Sequence, residues 1–313
     1  MNRIEADQLV RVLGSSHAMA ASLTEGKNAD YIPFLASVPS GLFGLAIVTV
    51  DGQIHEQGDA RHEFAIESIS KVLTLAAAIE EVGPEQLRAK VGAEPTGMPF
   101  NSVMALELHD DRPLSPLVNA GAIATASLLT AANAEERWAK ILSMQSRLAG
   151  RAIHLSDEVN TSEQTTNFHN RAIAWLLYSG GNMFCDPMEA CDVYTRQCST
   201  LVTAVDLAVI GATLANGGIN PVTRERVLQA ENVPPILAEM MMEGLYDTSG
   251  DWAFQVGLPA KSGVGGGLVA VAPGKLAIAG FAPPLDQVGN SVKAQAAVAA
   301  VAKALALNLF RGG

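Results

Sequence analysis

Ser68 and Lys71 stand three residues apart in the stretch FAIESISKVLTLAAAIEEV, residues 64–82. Residues three apart on a helix share a face, so a hydroxyl and an amine at this spacing can meet, whereas Ser70 points elsewhere. Val72, Leu73, Leu75, Ala76, Ala77, Ala78 and Ile79 follow, apolar on nearly every side, which predicts a helix buried inside a domain until Gly83-Pro84 stops it. Burial disfavours the ammonium form of a lysine at the mouth of such a helix, and the positive end of the helix dipole disfavours it further. A neutral amine one turn from a hydroxyl is a general base beside a nucleophile. A serine in the first turn can also turn its own backbone N–H toward a developing oxyanion.

A chain of this length contains about one S-x-x-K by chance at average composition. Here Lys261-Ser262-Gly263 follows in order, completing two of the three elements shared by serine β-lactamases and penicillin-binding proteins; the intervening S-D-N is missing. Gly263-Val264-Gly265-Gly266-Gly267 either lets a backbone N–H approach a ligand or forms a β-bulge. It is no phosphate loop, since the lysine precedes the glycines and a strand follows. Glu163 and Asn170, seven apart in SEQTTNFHN, project from one face if the segment is a single helix. Glu163 then faces either a ligand or solvent near a helix start. Asn119 heads an apolar helix, where N-capping is the ordinary role. Tyr31, Tyr194 and Tyr246 lie in polar-flanked segments, where core packing with a satisfied hydroxyl is ordinary.

The elements that must hold these residues form a coarse pattern. The first forty residues read as helical up to Pro33; residues 42–50 and 53–57 flank Asp51-Gly52 as a β-hairpin. Helical texture covers 64–82, 117–130, 134–148, 163–178, 187–198 and 206–216. Strand texture returns at 267–271 and 276–282, with Lys261-Ser262-Gly263 beginning a closing strand, and 291–310 reads as an Ala-rich helix. Strands at both ends and helices between predict an α+β fold: one antiparallel sheet built from both termini, flanking helices, and an inserted all-helical lobe. The expected division is a discontinuous sheet domain, 1–66 with 220–313, and a helical domain, 67–219, with the active site in the cleft between them.

With 313 residues, 49% of them hydrophobic, the chain can bury a large core. A net charge of −11 without basic clusters argues against nucleic acid or an anionic membrane as partner. Cys185, Cys191 and Cys198 are odd in number and lack C-x-x-C spacing, so neither a disulfide framework nor a zinc knuckle is expected. The histidines show no H-x-x-x-H or H-E-x-x-H, and neither metal nor cofactor is expected. Charges run through the N-terminal MNRIEADQLVRVL where a signal peptide needs an apolar run, so the expected location is cytoplasmic. The charge-free stretch 113–134 is only mildly apolar and reads as a buried helix rather than a membrane span.

Together the segments resemble the serine-dependent glutaminases of the β-lactamase-like superfamily, over about residues 29–292. The resemblance rests on ADYIP with Tyr31, SISK with Ser68 and Lys71, Phe100-Asn101-Ser102, NAGAI with Asn119, and Glu163 with Asn170-Arg171. It continues through Tyr194 to Cys198-Ser199, LANGG-NP from Leu214, LYD-SG with Tyr246, and PAKSGVGGG with Lys261 and Val264. Ser115, His169 and Phe281-Ala282 depart from the family pattern, which normally has Asn, Arg and Ser at these places.

The resemblance implies a β-lactamase/transpeptidase-like fold and an L-glutamine amidohydrolase that makes glutamate and ammonia through a glutamyl-serine intermediate. It implies Ser68 as nucleophile, Lys71 as its activating partner, and the N–H groups of Ser68 and Val264 as an oxyanion hole. Tyr31, Asn119, Glu163, Asn170, Tyr194 and Tyr246 would hold the amino acid, with Tyr194 and Tyr246 also at the chemistry and Lys261-Ser262-Gly263 as the active-site strand. It further implies a homo-oligomer, a dimer or tetramer. The alternatives are a β-lactamase or D-alanyl carboxypeptidase-like hydrolase, disfavoured by the absent S-D-N, and an amino-acid-binding protein without catalysis, disfavoured by the intact Ser68 and Lys71.

Overall fold

The computed structural model describes residues 4–311. Helices α1 (Ala6–Ala21) and α2 (Pro33–Ser37) precede a hairpin of β1 (Gly44–Thr49) and β2 (Ile54–Gly58), and then the two-residue strand β3 (Phe64–Ala65). A helical stretch follows: α3 (Ser70–Val82), α4 (Pro84–Lys90), α5 (Val103–Glu107), α6 (Asn119–Leu128) and α7 (Ala134–Ala149). After β4 (His154–Leu155) come α8 (Asp157–Thr166), α9 (Phe168–Ser179), α10 (Pro187–Cys198), β5 (Thr200–Val202) and α11 (Ala204–Ala215). The chain closes with α12 (Val233–Glu243), α13 (Ser249–Gln255), β6 (Ala260–Ser262), β7 (Gly267–Ala272), β8 (Leu276–Phe281) and α14 (Val292–Ala304).

The main sheet has the order β2-β1-β8-β7-β6, antiparallel throughout, with β8 from the C-terminal part pairing β1 from the N-terminal part. Its central strands are buried on both faces, and the period-two alternation splits their side chains between two cores. Leu45 and Ile47 of β1, Leu268 and Ala270 of β7, and Leu276 and Ile278 of β8 face the core that includes Leu9 and Leu13 of α1 and Val298 and Val301 of α14. Ala46, Val48, Val269, Val271, Ala277 and Ala279 face the other way, into the core shared with α3, α6, α7, α10 and α11.

Helices α6 and α11 are buried along their whole length, and α3 along most of its length. Every residue of α11 is buried, and it begins in a capping box in which the Thr203 hydroxyl accepts from the Asp206 N–H and the Asp206 carboxylate accepts from the Thr203 N–H. Although α11 falls within the helical stretch in sequence, it lies along β1, β7 and β8. Gly211 permits the approach, since a Cβ there would lie 2.6 Å from Ala277 Cβ. The α3 helix is buried from Ser70 to Ile79 and packs on α6 and α7.

Several local expectations are corrected. The Ser68 helix does not start at 64: Phe64–Ala65 is a strand, and Glu67–Ile69 forms a 3-10 turn that leads into α3. The expected single helix over 163–178 is broken at Asn167 into α8 and α9. Thr165 and Thr166 hydroxyls donate to the Ser162 carbonyl, competing with helix continuation, and the buried Asn167 amide turns to Gln164 and Thr195. Lys261-Ser262-Gly263 ends the edge strand β6 and enters the glycine turn rather than beginning a closing strand. The small sheet β3-β5-β4 and helices α12 and α13 are additions that short or Pro- and Met-rich segments did not signal.

Candidate active site

Ser68 stands in the 3-10 turn and Lys71 in the first turn of α3, three residues on, so the two side chains share a face. Lys71 Nζ donates to Ser68 Oγ at 2.9 Å, with the serine 7% and the lysine 1% exposed. Burial pulls Lys71 down from 10.5 to about 8, against the opposing pull of nearby acidic groups that include Glu67, Glu163 and Glu243. The rings of Phe100 and Tyr194 flank the amine at 5.7 and 5.9 Å. An amine whose pKa is pulled toward the working pH, in contact with a hydroxyl, is the arrangement that activates an oxygen nucleophile.

Asn119 sits at the first turn of α6, yet it does not cap that helix. Its Oδ1 accepts from Lys71 Nζ at 2.7 Å and from the Tyr194 hydroxyl at 3.1 Å, while its Nδ2 donates to Asn170 Oδ1 at 2.9 Å. One amide thereby links α3, α6, α9 and α10. Tyr194 is buried on α10, and burial raises its hydroxyl well above 10.

From the C-terminal part come Tyr246, Lys261, Ser262, Gly263 and Val264. Tyr246 stands in a 3-10 turn with φ 53; its buried hydroxyl donates to the Ser262 carbonyl at 3.3 Å and also reaches Ser68. Its ring packs against Phe100, with centroids 4.8 Å apart, and lies under Lys261 Nζ at 4.5 Å. Lys261, fully buried, donates to the carbonyls of Gly244 at 3.1 Å and Ser262 at 2.7 Å. Burial, and then the charge of Lys71, hold Lys261 well below its ordinary 10.5. Gly263 and Gly265 let the loop carrying Val264 press against the Ser68 turn; a Cβ on Gly263 would lie 2.8 Å from the Ile66 carbonyl oxygen.

Glu163 and Asn170 occupy separate helices, so no shared helix face brings them to the site. Glu163 comes from α8 and contacts the carboxyl of Glu67; Asn170 comes from α9 and contacts Asn119. Tyr31 is 55% exposed and stands at the rim, where the charges of Glu67 and Glu163 act on its hydroxyl. His169 Nε2 donates to the Asn101 carbonyl at 2.6 Å and ties α9 to the loop that carries Phe100.

Two residues to which the sequence reading assigned no site role are part of this constellation. Phe100 supplies the aromatic wall between Lys71 and Tyr246. Glu67 is 3% exposed, a lone acid in the apolar run FAIESI, and that oddity was the available signal.

A family model described as Glutaminase matches residues 26–310. Glutaminase 1 of Shigella flexneri is 64% identical over 309 residues, covering 99% of this chain and all of the relative. A glutaminase of Mycobacterium ulcerans (strain Agy99) is 69% identical over 285 residues, covering 91% of this chain and 89% of the relative. Among solved structures, a probable glutaminase aligns with a TM-score of 0.98 at 63% identity, over 99% of this chain and 100% of its own. A probable glutaminase from Bacillus subtilis, complexed with 6-diazo-5-oxo-L-norleucine, aligns with a TM-score of 0.86 at 30% identity, covering 99% of each chain.

Proposed function

This chain belongs to the glutaminase family, shares its β-lactamase-like fold, and hydrolyses L-glutamine to glutamate and ammonia; we propose that it does so through a glutamyl ester on Ser68. The observation that carries this reading is the 2.9 Å contact between Ser68 Oγ and the buried Lys71 amine, which burial brings down to about 8.

Lys71 takes the Ser68 proton as Oγ attacks the side-chain amide carbon of glutamine. The tetrahedral oxyanion forms between the Ser68 and Val264 N–H groups. The C–N bond then breaks, and the proton held by Lys71 passes to the departing nitrogen, with the Tyr246 hydroxyl beside Ser68 placed to relay it. Water enters, loses a proton to Lys71 and attacks the ester, and Ser68 recovers its proton as glutamate leaves.

Glu163 receives the α-ammonium, and Asn119, Asn170, Tyr194 and Tyr31 surround the amino-acid backbone. Lys261 holds the edge strand by its two carbonyl contacts and so fixes Ser262, Gly263 and Val264. The chemistry assigned to these side chains uses neither metal nor cofactor.

6-Diazo-5-oxo-L-norleucine, a glutamine analogue with an electrophilic side chain, tests the nucleophile directly. Peptide mass mapping after incubation should place the adduct on Ser68 and find none in Ser68→Ala; an adduct on any other residue would remove Ser68 from the role.

A homo-oligomer is the proposed assembly. Phe168, Trp175 and Tyr178 of α9, Met104 of the adjacent α5 and Leu108 just after it are more than half exposed, an apolar face of the kind that subunits cover. Analytical ultracentrifugation of Trp175→Glu should show smaller species than the native protein. A cytoplasmic location is proposed from composition; among the described residues no helix is long and apolar enough to cross a membrane.

A further inference from the structure

Glu67 precedes the nucleophile and has no part in the steps above, yet the structure keeps it in a demanding position. Its φ is 51, a left-handed conformation that a non-glycine residue retains only where its surroundings over-determine it. The glycine loop is shaped around its stem: a Cβ on Gly263 would lie 3.4 Å from Glu67 Cβ, and one on Gly265 would lie 3.2 Å from Glu67 Cγ.

The head of the side chain is more unusual. Oε1 of Glu67 is buried and finds no donor among the described residues. What the Glu67 carboxyl meets in hydrogen-bond contact is the carboxyl of Glu163. Two ionised carboxylates are acceptors only and cannot bond to one another, so the contact requires a proton. Glu67 is nearly inaccessible and Glu163 half-buried, which places the proton on Glu67 and the charge on Glu163.

The surrounding charges agree with a pair that carries one proton. The titratable groups facing it are Tyr31 at the rim, Lys71 on α3, Tyr194 and Cys198 on α10, and Tyr246 in its 3-10 turn. Desolvation raises the three tyrosine hydroxyls and lifts Cys198 to about 12, so all four are uncharged at neutral pH, and Lys71 is the cation whose charge acts on both carboxyls. A second negative charge on the pair would hold the proton on Lys71 and disable it as a base.

We propose that Glu67 and Glu163 share one proton in the resting enzyme, with Glu67 as the donor. Glu67 is thus a positioning residue that presents a singly charged, oriented Glu163 to the α-ammonium of glutamine. This rests on the assignment of Glu163 to that ammonium.

The test has a spectroscopic arm and a kinetic arm. Carbon NMR of enzyme labelled at the glutamate carboxyls should show a protonated carboxyl at neutral pH that disappears in Glu67→Gln. Glu239, which burial lifts to about 7, adds a second signal that stays in both. In kinetics, Glu67→Leu, which cannot donate, should raise KM for glutamine roughly 10- to 100-fold with much less change in kcat, the loss of a hydrogen bond to a desolvated charge. Glu67→Gln still donates from its amide and should restore KM to within about threefold.

A native enzyme with no protonated carboxyl apart from Glu239, or equal KM values in the Gln and Leu variants, would overturn the shared proton. Failure of the underlying assignment looks different. The signal would persist while Glu163→Gln lost glutamine and N-acetylglutamine turnover equally, and the role given to the pair would then fall.

Discussion

Lys71 Nζ donates to Asn119 Oδ1 across 2.7 Å, a closer contact than the 2.9 Å that separates the same amine from Ser68 Oγ. A neutral amide thus orients the base without adding charge beside it. With Lys71 held near 8, the kcat/KM of the native enzyme should rise with pH and level off above about 8 as the amine loses its proton. Asn119→Asp puts a carboxylate in contact with the amine, which favours the ammonium and should move this limb about one to three pH units higher. A pH–rate profile with an unmoved limb would show that Lys71 is not the titrating base.

Ser68→Ala should abolish turnover while the fold and glutamine binding persist, because one oxygen is removed from a preformed site. Lys71→Ala should be nearly as damaging, since residues that act as a unit lose most of their effect together. Turnover assays paired with circular dichroism check both. Near-native rates in Lys71→Ala, beside a dead Ser68→Ala, would redirect the search to Tyr246.

Glu163→Gln should lower kcat/KM for glutamine by roughly 30- to several thousand-fold, the range expected when one partner of a desolvated ion pair, worth about 2–5 kcal/mol, is truncated. N-acetylglutamine lacks the ammonium, so it should be a poor substrate for the native enzyme and lose far less on the substitution. Equal losses on both substrates would mean that Glu163 supports the fold instead of reading the ligand.

Glu239 lies 5% exposed on α12, where the Ser115 hydroxyl donates to it at 3.1 Å and burial lifts it from 4.5 to about 7. A carboxyl whose folded pKa is raised binds its proton more tightly in the folded state. Its stabilisation is therefore fully present below about 4.5 and lost as pH rises through 7, an effect of about 3 kcal/mol. Glu239→Gln stays neutral throughout. Urea unfolding at pH 5 and pH 8 should show the native protein losing that much more than the variant between the two, and parallel losses would place the Glu239 titration elsewhere.

The three thiols are free and hold no position in the proposed chemistry, although Cys198 Sγ touches Ser70 Oγ at 3.6 Å. Replacing Cys185 by Ser and Cys191 and Cys198 by Ala should leave kcat/KM near native and cost about 1 kcal/mol at each buried position. Incubation with EDTA should change nothing. Inactivation by the chelator would reveal a required metal ion.

The amino-acid sequence by itself determined the parts that depend on neighbours along the chain. The three-residue step from Ser68 to Lys71 brings hydroxyl and amine together in either a 3-10 turn or an α-helix, so the pairing did not depend on where α3 begins. The β1–β2 hairpin is likewise a local matter of alternation around Asp51-Gly52, and the polarity of α3 alone indicated that it is buried. Motif order from Tyr31 to Val264 was enough to indicate the family.

Tertiary structure decided whatever depends on which surfaces meet. Asn119 reads as a cap from its place on α6 and becomes a shared acceptor only because α3, α9 and α10 converge on it. Glu163 and Asn170 were expected on one helix face; the Thr165 and Thr166 hydroxyls and the Asn167 amide break that helix, and each residue reaches the site from its own segment. Glu67 gave only the hint of an acid in an apolar run. Its partner lies far away in sequence, and its left-handed backbone is sustained by the glycine loop that folds against it. A buried charge takes its meaning from what faces it, and here what faces it comes from other elements of the fold.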